Sequence, residues 1–149
     1  MILLSRRSLL AIAAVVDVAL HARPLPVTAK ALAGRHKLPP RHLETVLQAL
    51  VREGILKGLR GPRGGYELAR ERRRITAGDV VRAAMTATGE DGLPPLPESK
   101  LVDVVIEPAV KSAASAFLSE LDALTIDDLC RRAEAEATIE SAPMADFAI

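Results

Sequence analysis

The sequence predicts a mainly α-helical protein, in which a winged helix-turn-helix with a two-stranded β-wing precedes a long C-terminal dimerisation helix. Three observations predict this fold class. Apolar residues recur at helical spacing between positions 40 and 51, and a glycine-rich turn at 60–65 separates two short segments typical of β-strands. A single apolar stripe then follows residues 100–122.

Length and composition limit the classes of protein that fit. The chain has 149 residues, of which 49% are hydrophobic, so it can bury a core large enough to fold without disulfides or a structural metal. Its single cysteine, Cys130, cannot form a disulfide within the chain or hold a zinc ion or an iron–sulfur cluster by itself. We therefore expect a reduced, cytoplasmic protein with no cofactor and no metal site.

The charges are divided between the two halves of the chain. Residues 1–82 hold 16 Lys and Arg against 6 Asp and Glu, a formal charge of +10, whereas residues 83–149 hold 4 against 13, a formal charge of −9. The basic half would attract a polyanion such as DNA, and the acidic half would be repelled by it. An aromatic content of 2% disfavours a protein that stacks RNA bases on aromatic rings.

The N-terminal segment imitates an export signal. Arg6 and Arg7 precede an apolar run at 9–16, as in a twin-arginine leader. Asp17 interrupts that run, helical spacing continues through Leu20, and the run is far shorter than the roughly 20 residues that span a bilayer. The pattern therefore predicts a buried core helix at 9–21 and no membrane partner.

Two further helices follow, separated by a proline turn. Thr28 supplies a hydroxyl that can cap a short helix reaching Arg35 or His36, and Pro40 occupies the favoured first position of the next helix, which ends at Gly54. The outer face of this third helix is polar and can reach base edges. Together with Thr28, the residues predicted to bind DNA here are Arg41, His42, Glu44, Thr45 and Gln48.

A hairpin comes directly after the third helix. Strands are predicted at 55–59 and 66–69, and the turn between them contains three glycines and a proline. Arg60 and Arg63 flank the tip, and a narrow minor groove attracts arginines because it concentrates negative potential. No helix N-terminus follows the turn, so it does not fit a phosphate-binding loop. We interpret the hairpin as an arginine-tipped wing that binds DNA.

The C-terminal half begins with a fourth helix at 77–87, opened by a cap in which Thr76 and Asp79 stand three residues apart. A Gly- and Pro-rich connection at 88–99 leads to the long helix, which Pro108 must either start or kink. The apolar face of the long helix has no further partner in its own chain, which favours a two-fold dimer. The predicted dimer contacts are Val102, Ile106, Ala109, Ala113, Phe117 and Leu121.

A last helix is predicted to end near residue 137. Cys130 on this helix is interpreted as a buried apolar residue, with redox sensing as the alternative. His21, His36 and His42 lie on separate elements without the spacing of metal ligands. The predicted domains are thus a winged-helix DNA-binding domain at 1–87, a linker at 88–99, dimerisation helices at 100–137 and a flexible tail at 138–149.

Six segments carry a resemblance to a known family: DVALH at 17–21, VTAKALA at 27–33, PRHLE at 40–44, GIL at 54–56, RGPRGGYELA at 60–69 and ITAGDV at 75–80. The chain resembles the Rrf-two family of bacterial transcription regulators from residue 1 to about residue 130, and the wing is the most specific part. The resemblance implies a winged-helix homodimer that binds inverted-repeat operators, with the long helix as its dimer contact. It also implies that Arg41 and Glu44 read bases in the major groove and that Arg60 enters the minor groove.

The sequence departs from the family at informative positions. Many members hold an iron–sulfur cluster with three cysteines in the connection before the dimer helix, and the connection at 88–99 has none, so a cluster held in that way is excluded. Pro39 and His42 stand where the family usually has Ser and Tyr, so the operator sequence cannot be transferred. Arg63 replaces the usual glycine, and its added charge strengthens backbone contact without specifying sequence.

Two functional hypotheses remain, and neither is an enzyme, because the sequence has no nucleophile elbow, zinc-protease motif or phosphate loop. In the first, the chain is a homodimeric DNA-binding regulator, most simply a repressor, with an unidentified small-molecule or protein effector. In the second, it is an adaptor whose acidic dimer helix docks a partner protein. Glu44 also fits an ion pair with Arg41, and Arg35 fits either a surface charge or a phosphate contact.

Overall fold

A computed structural model describes residues 4–87 and 99–141. Among these residues, no helix is long and apolar enough to cross a membrane. The elements confirm the predicted fold class, because helices dominate and the two strands form one antiparallel hairpin. They are α1 (Arg6–His21), α2 (Ala29–His36), α3 (Pro40–Arg52), β1 (Leu56–Leu59), β2 (Gly65–Leu68), α4 (Ala77–Ala87), a π-helical turn (Val102–Ile106), α5 (Glu107–Asp122) and α6 (Ile126–Ser141).

The hydrophobic core lies where α1, α3, α4 and α6 meet. Val15 and Val18 of α1, Leu47 of α3, Val80 of α4 and Ile126 of α6 are all fully buried in one continuous cluster. The 3.6-residue period of α3 puts Leu43, Val46, Leu47 and Leu50 on the core side, as predicted. Each buried side chain of this size contributes about 1.5–3 kcal/mol to folding, so the core holds the helix-turn-helix rigidly.

The ends of the elements differ from the sequence prediction where capping decides them. α1 begins at Arg6 rather than at residue 9, because the hydroxyl of Ser5 accepts a hydrogen bond from the amide of Ser8 at 3.1 Å. α6 continues to Ser141, four residues beyond its predicted end and into the segment predicted as a flexible tail. Most of the predicted linker and residues 142–149 of the predicted tail lie outside the described residues.

Two matching caps join the C-terminal helices. Thr76 and Asp79 exchange side-chain-to-amide hydrogen bonds of 3.0 and 3.1 Å at the start of α4, and Thr125 and Asp128 do the same at the start of α6. The two caps are themselves paired, because the amide of Ala77 donates to Leu124 and that of Ile126 to Ile75, both at 2.8 Å. The winged domain and the C-terminal helices therefore share a backbone-paired junction.

Pro108 starts α5 and changes the helix before it. Helical structure runs from Lys100 to Asp122, but the turn Val102–Ile106 is widened to a π turn immediately before Pro108 enters the first turn of α5. Proline has no amide hydrogen, and its ring crowds the carbonyl four residues earlier, so the preceding turn opens. The Arg82 guanidinium then fastens the far end of α5 to α4 through two hydrogen bonds to Asp122, of 2.6 and 2.9 Å.

The wing is fastened to the body by Val27, which lies between α1 and α2. Val27 forms a β-bridge with Tyr66, in which the Tyr66 amide donates to Val27 at 2.7 Å and the Val27 amide donates back at 2.9 Å. Gly65 makes this close approach possible. Its φ is +153°, and a Cβ there would stand 2.5 Å from the carbonyl oxygen of Val27.

A buried carboxylate ties α1 to α2. Asp17 is 5% exposed, and Arg35 donates to both of its oxygens, from Nε at 2.8 Å and from Nη2 at 2.6 Å. His36 adds a contact of 2.9 Å to the same carboxylate, and Nδ1 of His21 lies 3.5 Å from it. The two histidines, expected to be unrelated, thus converge on one side chain, because helical packing brings the ends of α1 and α2 together.

The electrostatics of Asp17 follow from this arrangement. Burial by itself raises the pKa of the carboxyl, but the hydrogen bonds from Arg35 and His36 outweigh burial and hold the pKa below the ordinary value of 3.8. In return, the hydrogen bond to Asp17 raises the pKa of Arg35. The pair is a stable ion pair at neutral pH, and it loses its stabilising contribution only as pH falls below 3.8 through the lowered pKa.

We expect Asp17→Asn to lower the free energy of unfolding by about 1–3 kcal/mol at pH 7, because it leaves the Arg35 charge without its anion. The difference from wild type should narrow below about pH 4, where the wild-type carboxyl itself takes up a proton. Urea unfolding at several pH values measures both. Asp103→Asn, at an exposed carboxylate before α5, is the control. An equal effect of the two substitutions, or a pH-independent difference, would contradict the prediction.

We expect Gly65→Ala to detach the wing, because the added methyl group collides with the Val27 backbone and the φ is unfavourable for alanine. The expected cost is about 1–3 kcal/mol of unfolding free energy, with faster hydrogen exchange at the Tyr66 amide. Gly58→Ala in β1 is the matched control, since its Cβ would stand 3.9 Å from the Tyr66 ring. Equal stability and exchange in the two variants would show that Gly65 is not required.

Candidate nucleic-acid interface

The outer face of α3 carries the polar residues that the sequence analysis selected. Pro40 starts the helix. One side of the helix is buried in the core, and the side chains on the opposite side point outward. Within the described residues, Glu44 forms no ion pair with Arg41, so neither side chain is committed to the other. The exposed residues on this face are Arg41, His42, Glu44, Thr45 and Gln48.

The turn between α2 and α3 is set by backbone hydrogen bonds rather than by side-chain caps. Lys37 adopts a left-handed conformation with φ of 53°, and the next amide, of Leu38, donates to Ala33 at 3.0 Å. Pro39 offers no side-chain cap to α3, and Pro40 needs none for its own missing amide. The sequence signal for this turn was the pair of prolines, whereas the left-handed lysine gave no signal of its own.

The wing presents its two arginines at the tip. β1 and β2 pair in register from Leu56 with Leu68 to Leu59 with Gly65, which leaves a turn at 60–64. The turn closes when the Gly64 amide donates to Gly61 at 2.9 Å, with Gly61 at φ +108°. Arg60 and Arg63 are exposed on either side of this closure, and neither has an ion-pair partner in the described part of the chain.

The hairpin face behind the tip is electrically balanced. Lys57 of β1 lies opposite Glu67 of β2, and the ammonium and carboxylate are 3.2 Å apart. Such an exposed cross-strand pair contributes only about 0.2–1 kcal/mol to stability. Its larger effect is to leave the positive charge of the wing concentrated in the two arginines at the tip.

Thr28 lies beside the base of the wing. Its neighbour Val27 pairs with Tyr66, so the N-terminus of α2 is held against the start of β2. The hydroxyl oxygen of Thr28 accepts from the Ala31 amide at 3.0 Å and caps the helix, while its own proton remains available to donate. An exposed hydroxyl at a helix N-terminus suits a phosphate group, because the helix dipole favours negative charge there.

Arg35 forms an ion pair rather than standing alone as a surface cation. The sequence left open whether it is a surface charge or a phosphate contact, and in the structure its Nε and Nη2 atoms donate to Asp17. The other cations of α2 and α3, including Lys30, Lys37 and Arg52, are exposed. The surface around α2, α3 and the wing therefore carries an excess of positive charge, in contrast to α5 and α6, in which eight acidic residues outnumber three basic ones.

Comparison with known proteins identifies the relatives of this chain. A sequence profile of the Rrf2 family, described as an iron-dependent transcriptional regulator, matches residues 4–132. A protein of Synechocystis sp. provisionally named an HTH-type transcriptional regulator, slr0846, is 32% identical over 85% of this chain and 86% of its own length. The HTH-type transcriptional regulator CymR of Bacillus subtilis is 30% identical over 74% of this chain and 77% of its own length.

A solved structure agrees with these sequence relatives. IscR from T. potens superimposes on this chain with a TM-score of 0.67 at 29% sequence identity, and the match covers 89% of both chains. The fold class and the family resemblance predicted from the sequence are thus both confirmed.

The family is described as iron-dependent, and a bound metal would need ligands among the residues of this chain. Cys130, the one cysteine of the sequence, is fully buried in α6. Burial raises the pKa of its thiol, against the opposing charge of Arg72, and so disfavours the thiolate that a metal or an oxidant requires. Across 4–87 and 99–141, no three His, Cys, Asp or Glu side chains are grouped to hold a metal ion. These residues do not fit a cysteine-ligated cluster.

The match to the family covers most of the chain. The matching segment spans the helix-turn-helix, the wing, the fourth helix and most of the C-terminal helices, including both capped junctions. The relatives named with it are transcription regulators rather than enzymes. The chain therefore belongs to the Rrf2 family of winged-helix, DNA-binding transcriptional regulators.

Proposed function

We propose that this protein binds an inverted-repeat operator in duplex DNA as a homodimer and represses transcription there. The observation that carries the proposal is the simultaneous exposure of a polar face on α3 and an arginine-tipped wing on one rigid domain. The Val27–Tyr66 bridge and the shared core fix these two surfaces relative to each other. A regulator with this arrangement reads the major groove with the helix and the minor groove with the wing.

The exposed face of α3 is proposed to contact the bases. Arg41 has the donor fork that pairs with guanine, Gln48 the amide that pairs with adenine, and Glu44 an acceptor for the amino group of cytosine. Each well-formed contact discriminates against the wrong base by about 1–3 kcal/mol. His42 and Thr45 complete the face and are proposed to contact bases or the adjoining backbone.

The wing and the start of α2 supply the remaining contacts. Arg60 is proposed to enter the minor groove, and Arg63 to add a charge contact there or at a phosphate. The Thr28 hydroxyl and the N-terminus of α2 are proposed to hold a phosphate beside the wing. These contacts set the orientation of α3 in its groove, so they contribute affinity and position rather than a sequence code.

The dimer is proposed to form through the helical run from Lys100 to Asp122. Large apolar side chains crowd its first half, and each is between 43% and 71% exposed. Of the residues predicted as dimer contacts, Ile106, Ala109 and Ala113 are exposed, whereas Val102, Phe117 and Leu121 are partly covered within the chain. The exposed apolar residues are Leu101, Val104, Val105, Ile106 and Val110.

A two-fold dimer would bring two α3 helices to successive major grooves, roughly 34 Å apart on one face of the duplex. This spacing is the geometric reason for an inverted-repeat operator. A dimer seated on a promoter blocks the polymerase, which is the simplest route to repression. An effector that alters the dimer geometry, either a small molecule or a protein, would then control DNA affinity.

We expect the double substitution Arg60→Gln, Arg63→Gln to weaken binding to the DNA upstream of the protein's own gene and to flatten its salt dependence. Losing two phosphate-neutralising charges should reduce the slope of log K against log salt by about 1.8, at about 0.9 for each contact. Fluorescence anisotropy at several salt concentrations measures the slope. Arg132→Gln, at an exposed arginine of α6, removes one positive charge outside the proposed interface and is the control.

Two results would contradict this prediction. An unchanged slope in the wing variant would remove the wing from the interface. A flat salt response in the wild-type protein would favour the adaptor hypothesis, in which the acidic helix docks a partner and DNA binding is not the function.

We expect Val105→Glu to shift the dimer to monomer, because a buried glutamate without a partner is costly in an apolar interface. The dimer dissociation constant should rise by roughly tenfold or more, and operator affinity should fall with it. Sedimentation equilibrium measures the first quantity. Gln48→Glu adds the same charge on α3 and should leave the oligomeric state unchanged. A dimer that survives Val105→Glu unaltered would place the interface elsewhere.

A further inference from the structure

An open apolar groove runs between α1 and α6, lined by residues that pack at the edge of the core. Its volume of about 620 Å³ is within the size range of small-molecule sites. Its walls are aliphatic and come from both helices, and Leu9 at one end is 39% exposed. The apolar residues that form it include Leu9, Ile12, Val16, Leu20, Leu129 and Ala133.

The polar groups of the groove are gathered at one end, where α2 approaches α1. Arg35 uses its Nε and Nη2 atoms to bind Asp17, but a guanidinium has five N–H donors, so three remain. The Arg35 side chain is 37% exposed and that of His21 is 47% exposed, and both line the groove. The apolar groove therefore ends at a guanidinium that has N–H donors left to donate and at an accessible imidazole.

We propose that this groove binds a small amphipathic monocarboxylic acid, with its aliphatic part between α1 and α6 and its carboxylate on Arg35. The guanidinium fork matches a carboxylate in geometry. Asp17 offsets the charge of Arg35, so the attraction comes from the remaining N–H donors, and a single carboxylate meets less repulsion from Asp17 than a dianion would. A cationic head group would meet Arg35 with like charge, and a neutral one would forgo the charge-assisted hydrogen bond.

The position of the site links it to the helix-turn-helix. Arg35 belongs to α2, which leads through the Lys37 turn into α3. A bound carboxylate shares the guanidinium with Asp17 and so weakens the connection between α1 and α2. The ligand site goes beyond the proposed function, and only this effect on operator affinity rests on it.

The test uses decanoate, below its micelle concentration, as the probe, and decanol as its uncharged counterpart. Isothermal titration calorimetry on the full chain should give decanoate binding that is roughly tenfold or more tighter than that of decanol. Ala133→Trp places a large ring in the groove from the α6 side and should weaken decanoate binding by roughly tenfold or more. Ala135→Trp, on the exposed side of α6, should leave the affinity within about twofold of wild type.

Three results would overturn the proposal. The first is absence of decanoate binding to wild type up to about 1 mM, and the second is equal binding of decanoate and decanol or of the two tryptophan variants. The third is a monomeric Ala133→Trp protein beside a dimeric Ala135→Trp protein, which would show that a second copy of the chain occupies the groove. Calorimetry uses no DNA, so failure to bind an operator without decanoate would count against the proposed function alone.

Discussion

The position of the helix-turn-helix depends on the buried carboxylate of Asp17. Isolated in the protein interior, a carboxylate would cost several kcal/mol, so α2 must supply Arg35 and His36 at the place where α1 presents it. Since α1 also packs in the core against α3, α4 and α6, this ion pair connects α2 to the whole domain, together with Leu32 and Ala33, which α2 buries in the same core. A helix of eight residues is marginal by itself, so these contacts together give α2 one orientation and fix the start of the turn into α3.

The attachment of the wing to the body is a second constraint on the structure. A two-stranded hairpin is marginally stable by itself, and here its register continues into the bridge between Val27 and Tyr66. Only glycine at position 65 allows the two backbones to approach closely enough. The paired charges of Lys57 and Glu67 behind the tip leave the net positive charge to the exposed arginines. Rigid attachment and concentrated charge together make the hairpin a usable contact rather than a mobile loop.

The family is described as iron-dependent, but the described residues of this chain do not fit a cysteine-ligated cluster. The one cysteine belongs to the core, where burial raises its pKa, and no other cysteine is present to share a metal with it. The groove beside the Asp17 cluster is a candidate site for a regulating ligand, because it lies between α1 and α6 and reaches Arg35 of α2, the first helix of the helix-turn-helix.

The sequence by itself determined most of the fold, because interactions between residues close together in the chain specify its elements. The period of α3, the caps at Thr76 and Thr125, and the glycine-rich tip between two arginines act over a few residues, and each was readable without a partner. Tertiary structure alone decided the rest, because those contacts join residues far apart in sequence. Asp17 looked like an interruption in an apolar helix until Arg35, 18 residues later, was packed against it, and Val27 became a strand residue only when Tyr66 reached it. A long-range ion pair or bridge leaves no periodic signal in either segment that forms it.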